Sequence, residues 1–449
     1  MDGLTQRLGA FVSGLEFGAL PGAAVETVKR GAIDCLAALF AGRDEPLIAT
    51  LRAASCPGAA HEAQLLFDRG RAAAPDAALV NAAAAHALDY DDTALDGHPS
   101  VVLVPVVLAE GERAGAGGAR MIAAYVAGYE TWAELVGRDA DKHHGKGWHP
   151  TAVFGTLAAA AAGANLRRLD AGRTAAALGI AASMAGGLVA NFGSMTKPFQ
   201  VGRAAQNGLL AARLAEAGMS ASPDALEHSG GLLQALSPRG RVRIDGALSA
   251  GRDWHILRHG LNVKRYPVCY ALHRSIDALL GLAAEQRLAP GEVQEIEVRI
   301  GRLQAGMLRH SRPQTALDAK FSAQFAMACA LVAGRVGLEE LDDAFVRSTA
   351  IQSLLPKVRV AVVEGADPDE PLFAPQDSVA VKLADGAVLE SEPVRHARGH
   401  ARNPIGLDEL RAKFETCVGG ALAPARRERL FEALLRLEAL PAAAELYRP

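Results

Sequence analysis

Alanine sets the terms for this chain. Half of its residues are hydrophobic yet only 5% are aromatic, and small-residue runs such as Ala82–Ala85 and Ala158–Ala162 stand among apolar positions that recur three and four apart. Alanine is the best helix former and a poor filler of a pleated sheet, where β-branched and aromatic side chains pack better. The expected fold is therefore mainly α, with helices in close contact. At 449 residues the chain is long for a single core, so two domains are expected.

The pattern changes after Gly291. EVQEIEVRI alternates with a period of two, VRVAVVE repeats the pattern, and SVAVKLADGAVLESE carries an Asp-Gly turn between two further strand-like runs. A helix is expected over Phe321–Val336. Beyond 400 the helical spacing of the first half returns. The expected organisation is a large all-helical domain over 1–264, a smaller α+β domain over 265–400, and helices over 401–449 that pack back on the first domain and make it discontinuous.

A formal net charge of -3, with 22% charged residues, offers no strong field of either sign. Nucleic acid and membrane surfaces are poor candidates as partners. The uncharged stretch Thr174–Thr196 is rich in Ala, Gly and Ser, too weakly apolar for a bilayer, and reads as a helix buried in protein. Five scattered cysteines form no C-x-x-C pair, so no disulfide framework, zinc site or iron-sulfur cluster is expected. The N-terminal residues do not resemble a secretory signal, and a cytoplasmic setting is expected.

Polar chemistry concentrates in NAAAAHALDYDDTALDGHPS, residues 81–100. Read as a continuing helix, it places His86, Asp89 and Thr93 on one face with Asp92 at its edge. Aspartates near a helix C-terminus oppose the macrodipole, and such an unfavourable cluster suggests a use. The plain alternative is a solvated helix end followed by an Asp-Gly turn. The spacing HxxDxDD has no recognised metal geometry behind it, so no metal is expected.

Two more constellations stand just ahead of Ala-rich helices. In DKHHGKGWHPTAVFG, His149 falls where backbone N–H groups lack partners and anions are welcome, while His143 and His144 read as loop residues. In NFGSMTKPFQVGRAAQNG, Lys197 has small uncharged neighbours and suits a substrate carboxylate. Further on, LNVKRYPVCYALHRSIDALLGL gathers Lys264, Arg265, Tyr266, Cys269 and His273 at the entry to a helix.

HALDYDDT with GHPS, GWHPTAVFG, TKPFQVGRAAQNG, KRYPVC with His273, and GHARNP, in that order, resemble the MmgE/PrpD family. The resemblance implies an all-helical domain with an α+β lid, an active site in the cleft between them, a homodimer, and no metal or organic cofactor. Carried over, the catalytic positions are Asp89, Thr93, His98, His149, Lys197 and Lys264. Thr93, Lys197, Lys264, Arg265, Tyr266, Cys269 and His273 would contact a small di- or tricarboxylate. The lysines would hold carboxylates while His98 and His149 serve as base and acid, in an order the residues leave open. Where the cis-aconitate decarboxylases of the family carry histidine five residues after the KRYP lysine, this chain has Cys269, with His273 as a displaced substitute. The expected activity is accordingly a 2-methylcitrate-dehydratase-like hydro-lyase. An iminodisuccinate-type epimerase, a cis-aconitate-type decarboxylase and a non-catalytic helical binding module are the alternatives.

Overall fold

The computed structural model describes residues 3–56, 61–68 and 70–447. It is mainly α with a small α+β part. The chain divides into two compact units, 1–262 with 406–449, and 263–405.

The first unit is built around the helix Pro150–Leu166, every residue of which is buried. A helix apolar on all sides must be surrounded, and this one packs against Thr196–Glu216, Gly118–Val136, Pro99–Arg113 and Ala171–Met184. Small residues make these approaches possible. A Cβ on Gly208 would stand 2.3 Å from Ala159 Cβ and 2.6 Å from the Ala160 amide nitrogen, and one on Gly128 would stand 2.7 Å from the Ala158 carbonyl oxygen. Pro105 lies inside a continuous helix, Pro99–Arg113, and does not divide it into two elements. The stretch expected as a buried helix from 174 is helical only to Met184; residues 185–195 are largely irregular and include a single turn at Val189–Asn191. Among the described residues no helix is long and apolar enough to cross a membrane.

The C-terminal helices of this unit, Leu407–Val418 and Pro424–Leu435, both pack on Gly22–Gly42. Their deepest polar link is Lys413, whose Nζ lies 2.5 Å from the fully buried Asp34 and donates to the Tyr90 carbonyl at 2.7 Å. Burying that aspartate without a cation would be strongly unfavourable, so the pair ties the end of the chain to the polar stretch that follows His86.

The second unit contains the four-stranded sheet that the alternating runs predict. Val358–Val363, Val293–Gly301, Ser378–Leu383 and Val388–Glu390 lie side by side in that order, the first pair parallel and the others antiparallel. Ile296 stands opposite Val358 on one side and Val381 on the other. A parallel pair needs a crossover, and the residues between these strands include the buried helix Ala323–Ala333. With His273–Gln286 it joins the apolar core around Ile296, Val298 and Ile300.

Candidate active site

The first unit brings three imidazoles, two aspartates and a lysine together. His86 is the last residue of the helix Ala74–His86, so the polar residues after it do not share a helical face as the spacing suggested. The chain turns instead. Asp89 adopts φ 55°, and Leu95 and Asp96 are also left-handed. Aspartate tolerates that region better than most residues, because its short side chain can bond locally. The turn rather than a helix does the grouping.

His98 and His149 arrive by the same local device. Each immediately precedes a helix whose first residue is proline, Pro99 in one case and Pro150 in the other. Proline's fixed φ and missing N–H suit that position. Both imidazoles therefore sit at helix N-termini. Behind them, the hydroxyls of Ser100 and Thr151 are buried, the former 2.8 Å from Tyr125 Oη.

Asp91 lies between two rings. Its Oδ1 is 2.9 Å from His86 Nδ1, and its Oδ2 is 2.7 Å from His98 Nδ1, although the second contact lacks hydrogen-bond alignment. Burial works to raise the Asp91 pKa, but the imidazoles against both oxygens outweigh it and hold the carboxyl far below its usual range. His86 is pushed down to about 4, chiefly by burial against the opposing pull of Asp91, so it is neutral at neutral pH. Asp92 faces elsewhere, accepting from the Ser100 amide at 3.3 Å; burial, with Asp34 nearby, pushes its carboxyl well up. Two adjacent carboxyls are thus shifted in opposite directions.

Lys197 lies in the first turn of Thr196–Glu216 and donates to Asp89 Oδ1 at 2.7 Å. Asp89 Oδ1 is also 3.7 Å from His98 Nε2. The ammonium stands 5.2 Å from the Phe192 ring centre, and His149 packs edge-on to the same ring at 4.8 Å. His149 Nδ1 meets Gln200 Oε1 at 2.8 Å. Its pKa is held well below the ordinary value, first by burial and then by Lys197. The Thr93 backbone pairs with Asn262, while its Oγ1 is buried with no hydrogen-bond partner among the described residues.

Sequence reasoning proposed Asp89, His98, His149 and Lys197, and the structure brings these four together. It named no role for His86, Asp91, Phe192 or Gln200. Gln200 was readable in principle, standing three residues after Lys197 on one helix. Asp91 was not, because its neighbours are defined by a left-handed turn. Asp96 pairs with Lys142 at 2.8 Å, and His143 packs edge-on against Phe154. His86, Asp89, Asp91 and His98 each offer one donor atom within 4.8 Å of the others, a set able to hold a metal ion. Lys197 already puts a positive charge against one of those donors.

The remaining proposed residues belong to the second unit. Lys264 and Cys269 are buried, and the Cys269 amide donates to the Lys320 carbonyl at 2.9 Å. Tyr266 Oη donates to Asp277 at 2.5 Å, with the Arg265 guanidinium 5.6 Å from the Tyr266 ring centre. His273 is fully buried, its ring 5.2 Å from that of Tyr266 and 4.8 Å from that of Tyr270, and its Nε2 lies 3.3 Å from the Val268 carbonyl oxygen.

An α-helical unit thus presents imidazoles at helix starts beside a lysine–carboxylate pair, and an α+β unit stands between its two stretches of chain in the sequence. Residues 6–245 match the MmgE/PrpD N-terminal domain and residues 266–437 the MmgE/PrpD C-terminal domain. The chain belongs to the MmgE/PrpD family. It is 26% identical over 457 residues to human cis-aconitate decarboxylase, covering 98% of this chain and 93% of that protein. The mouse cis-aconitate decarboxylase is 26% identical over 470 residues, covering 100% and 93%. A cis-aconitate decarboxylase-like protein, oryM, of Aspergillus oryzae is 28% identical over 398 residues, covering 82% and 81%.

Proposed function

We propose that this protein is a lyase that needs no cofactor and acts on a small di- or tricarboxylate, moving a proton at a carbon beside a carboxylate. The observation that carries this reading is the group Lys197, Asp89 and His98, a cation and a proton-transferring ring held within 3.7 Å of one carboxylate oxygen. Lys197 suits a substrate carboxylate, and as substrate charge shifts toward that end the ammonium stabilises it. Thr93, with its unmatched hydroxyl, is assigned a hydrogen bond to substrate.

Within this class, decarboxylation now ranks ahead of the dehydration favoured by the sequence. Relatives matched over nearly the whole chain bear the name cis-aconitate decarboxylase. For a substrate of that type, the bond to one carboxylate breaks and leaves as carbon dioxide. The electron pair passes into the adjacent alkene, and a proton is added to carbon. One proton donor suffices. Dehydration is the second reading and Cys269 favours it, because the residue departs from the histidine of the decarboxylases; it requires a base for the carbon proton and an acid for the departing hydroxide. Epimerisation would need only removal and return of a proton.

Incubation in heavy water with cis-aconitate, citrate, 2-methylcitrate and substituted succinates, followed by NMR, separates these outcomes. We expect itaconate carrying deuterium, with release of carbon dioxide. A new alkene from a hydroxy acid would put dehydration first, deuterium with inversion would put epimerisation first, and no change in any compound would support a binding module. Activity is expected to survive dialysis against a chelator. Loss on chelation and recovery with one divalent ion would give the four-donor set a metal role.

A further inference from the structure

His98 and His149 reach the site by the same His-Pro helix start, yet their surroundings differ in ways that specify different proton states. The orientation of Gln200 is decisive for His149. Its Nε2 donates to the Leu188 carbonyl at 3.2 Å, which leaves Oε1 facing His149 Nδ1 at 2.8 Å. Reversing the amide would set two oxygens against each other at Leu188. An acceptor at Nδ1 requires that nitrogen to carry the hydrogen, so a neutral His149 has a bare Nε2. The groups that bear electrostatically on this ring are Lys197 and, when protonated, His86 and His98, all of the sign that repels a second proton. Phe192 covers it edge-on, and the residue is 1% exposed.

His98 has the opposite setting. A proton on Nδ1 faces Asp91 Oδ2 at 2.7 Å, and a proton on Nε2 faces Asp89 Oδ1 at 3.7 Å. The other charged or titratable groups around it are His86, which shares Asp91, with Lys197, His144 and His149. Its side chain is 13% exposed, whereas His86 and His149 are each 1% exposed, so of the three clustered rings His98 is the one most open to solvent. The misalignment between His98 and Asp91 is of the kind that tightens when substrate is bound.

We propose that Asp91 and Gln200 are positioning residues that give the two cap histidines fixed, different jobs: Asp91 holds His98 as the proton carrier, and Gln200 locks His149 as a neutral ring protonated at Nδ1 that accepts hydrogen bonds through Nε2. As a statement about proton states it stands alone; as a statement about catalysis it rests on the lyase reading. In a decarboxylation, His98 delivers its proton to the substrate carbon and recovers one from solvent.

The test is nitrogen NMR of the full-length protein labelled with ¹⁵N-histidine, assigned with single His→Gln variants, over roughly pH 5 to 8. The expected result is a His149 with one pyrrole-type and one pyridine-type nitrogen throughout, while His98 takes up the second proton as the pH falls. Gln200→Glu, which sets a carboxylate against Nδ1, should let His149 take up a second proton in the same range, and Gln200→Leu should release the tautomer lock. Asp91→Asn should abolish uptake by His98 and lower kcat on the order of 10²- to 10⁴-fold with KM little changed. Should Asp91→Asn fail to fold, the wild-type spectra decide the matter. A doubly protonated His149 ahead of His98, or a folded Asp91→Asn with unchanged spectra and kcat, overturns the proposal. Ring states as expected without turnover of any carboxylate would sink the lyase reading and leave the proton assignment standing; turnover with the ring states exchanged would do the reverse.

Discussion

Asp91 and Asp92 are joined by one peptide bond and face different worlds. Asp91 keeps its charge because imidazoles meet both oxygens, and Asp92 is pushed toward neutrality by burial close to Asp34. Substitution at the two positions should therefore differ in kind. Asp92→Asn replaces a carboxyl that burial pushes well up and that bonds to the Ser100 amide rather than to the rings, and it should leave kcat within a few-fold of wild type, in contrast to Asp91→Asn. An equal loss in both variants would refute the division of roles. Lys197→Met tests a different residue. It removes the cation 2.7 Å from Asp89 while keeping most of the apolar stem beside Phe192, and it should lower kcat/KM by tenfold or more while the protein stays folded. Unchanged kcat/KM in the reaction that the substrate panel identifies would remove Lys197 from substrate binding.

At the scale of elements, the distance between the helix that His149 caps and the helix that carries Lys197 is set by their crossing. Gly208 lies against Ala159 and Ala160 there, so Gly208→Ala must push the helices apart. The expected destabilisation is about 1–3 kcal/mol, read from urea unfolding, together with a fall in kcat/KM because both site residues ride on those helices. Equal stability would mean that the crossing has slack. Such packing was partly legible: alanine runs at three-and-four spacing predict helices, and alternation after Gly291 predicts strands that do form. The hairpin Asp-Gly turn was legible for the same reason, because its backbone requirement is local. The error lay after His86, where helical spacing was extended through a segment that turns at Asp89. Left-handed backbone at an aspartate leaves no periodic trace, and with it went the chance to see that Asp91 meets both His86 and His98.

At the scale of the whole molecule, buried neutral histidine makes stability depend on pH. His86 has a folded pKa of about 4 against an ordinary value of 6.5, so the unfolded chain binds its proton more tightly. Its contribution is complete above about pH 6.5 and is lost progressively as the pH falls toward 4. His86→Asn retains an N–H for Asp91 without the titration. The gap in unfolding free energy between wild type and this variant should narrow by about 3 kcal/mol across that interval, measured by urea unfolding at successive pH values. A constant gap would show that His86 does not titrate differently in the two states. Lys413 has a consequence on another axis, that of synthesis. The first unit needs this residue to neutralise Asp34 and to hold the Tyr90 carbonyl, but residues 263–405 are made before it. The Asp34–Lys413 pair and the bond from Lys413 to the Tyr90 carbonyl can therefore close only after the whole second unit has been synthesised.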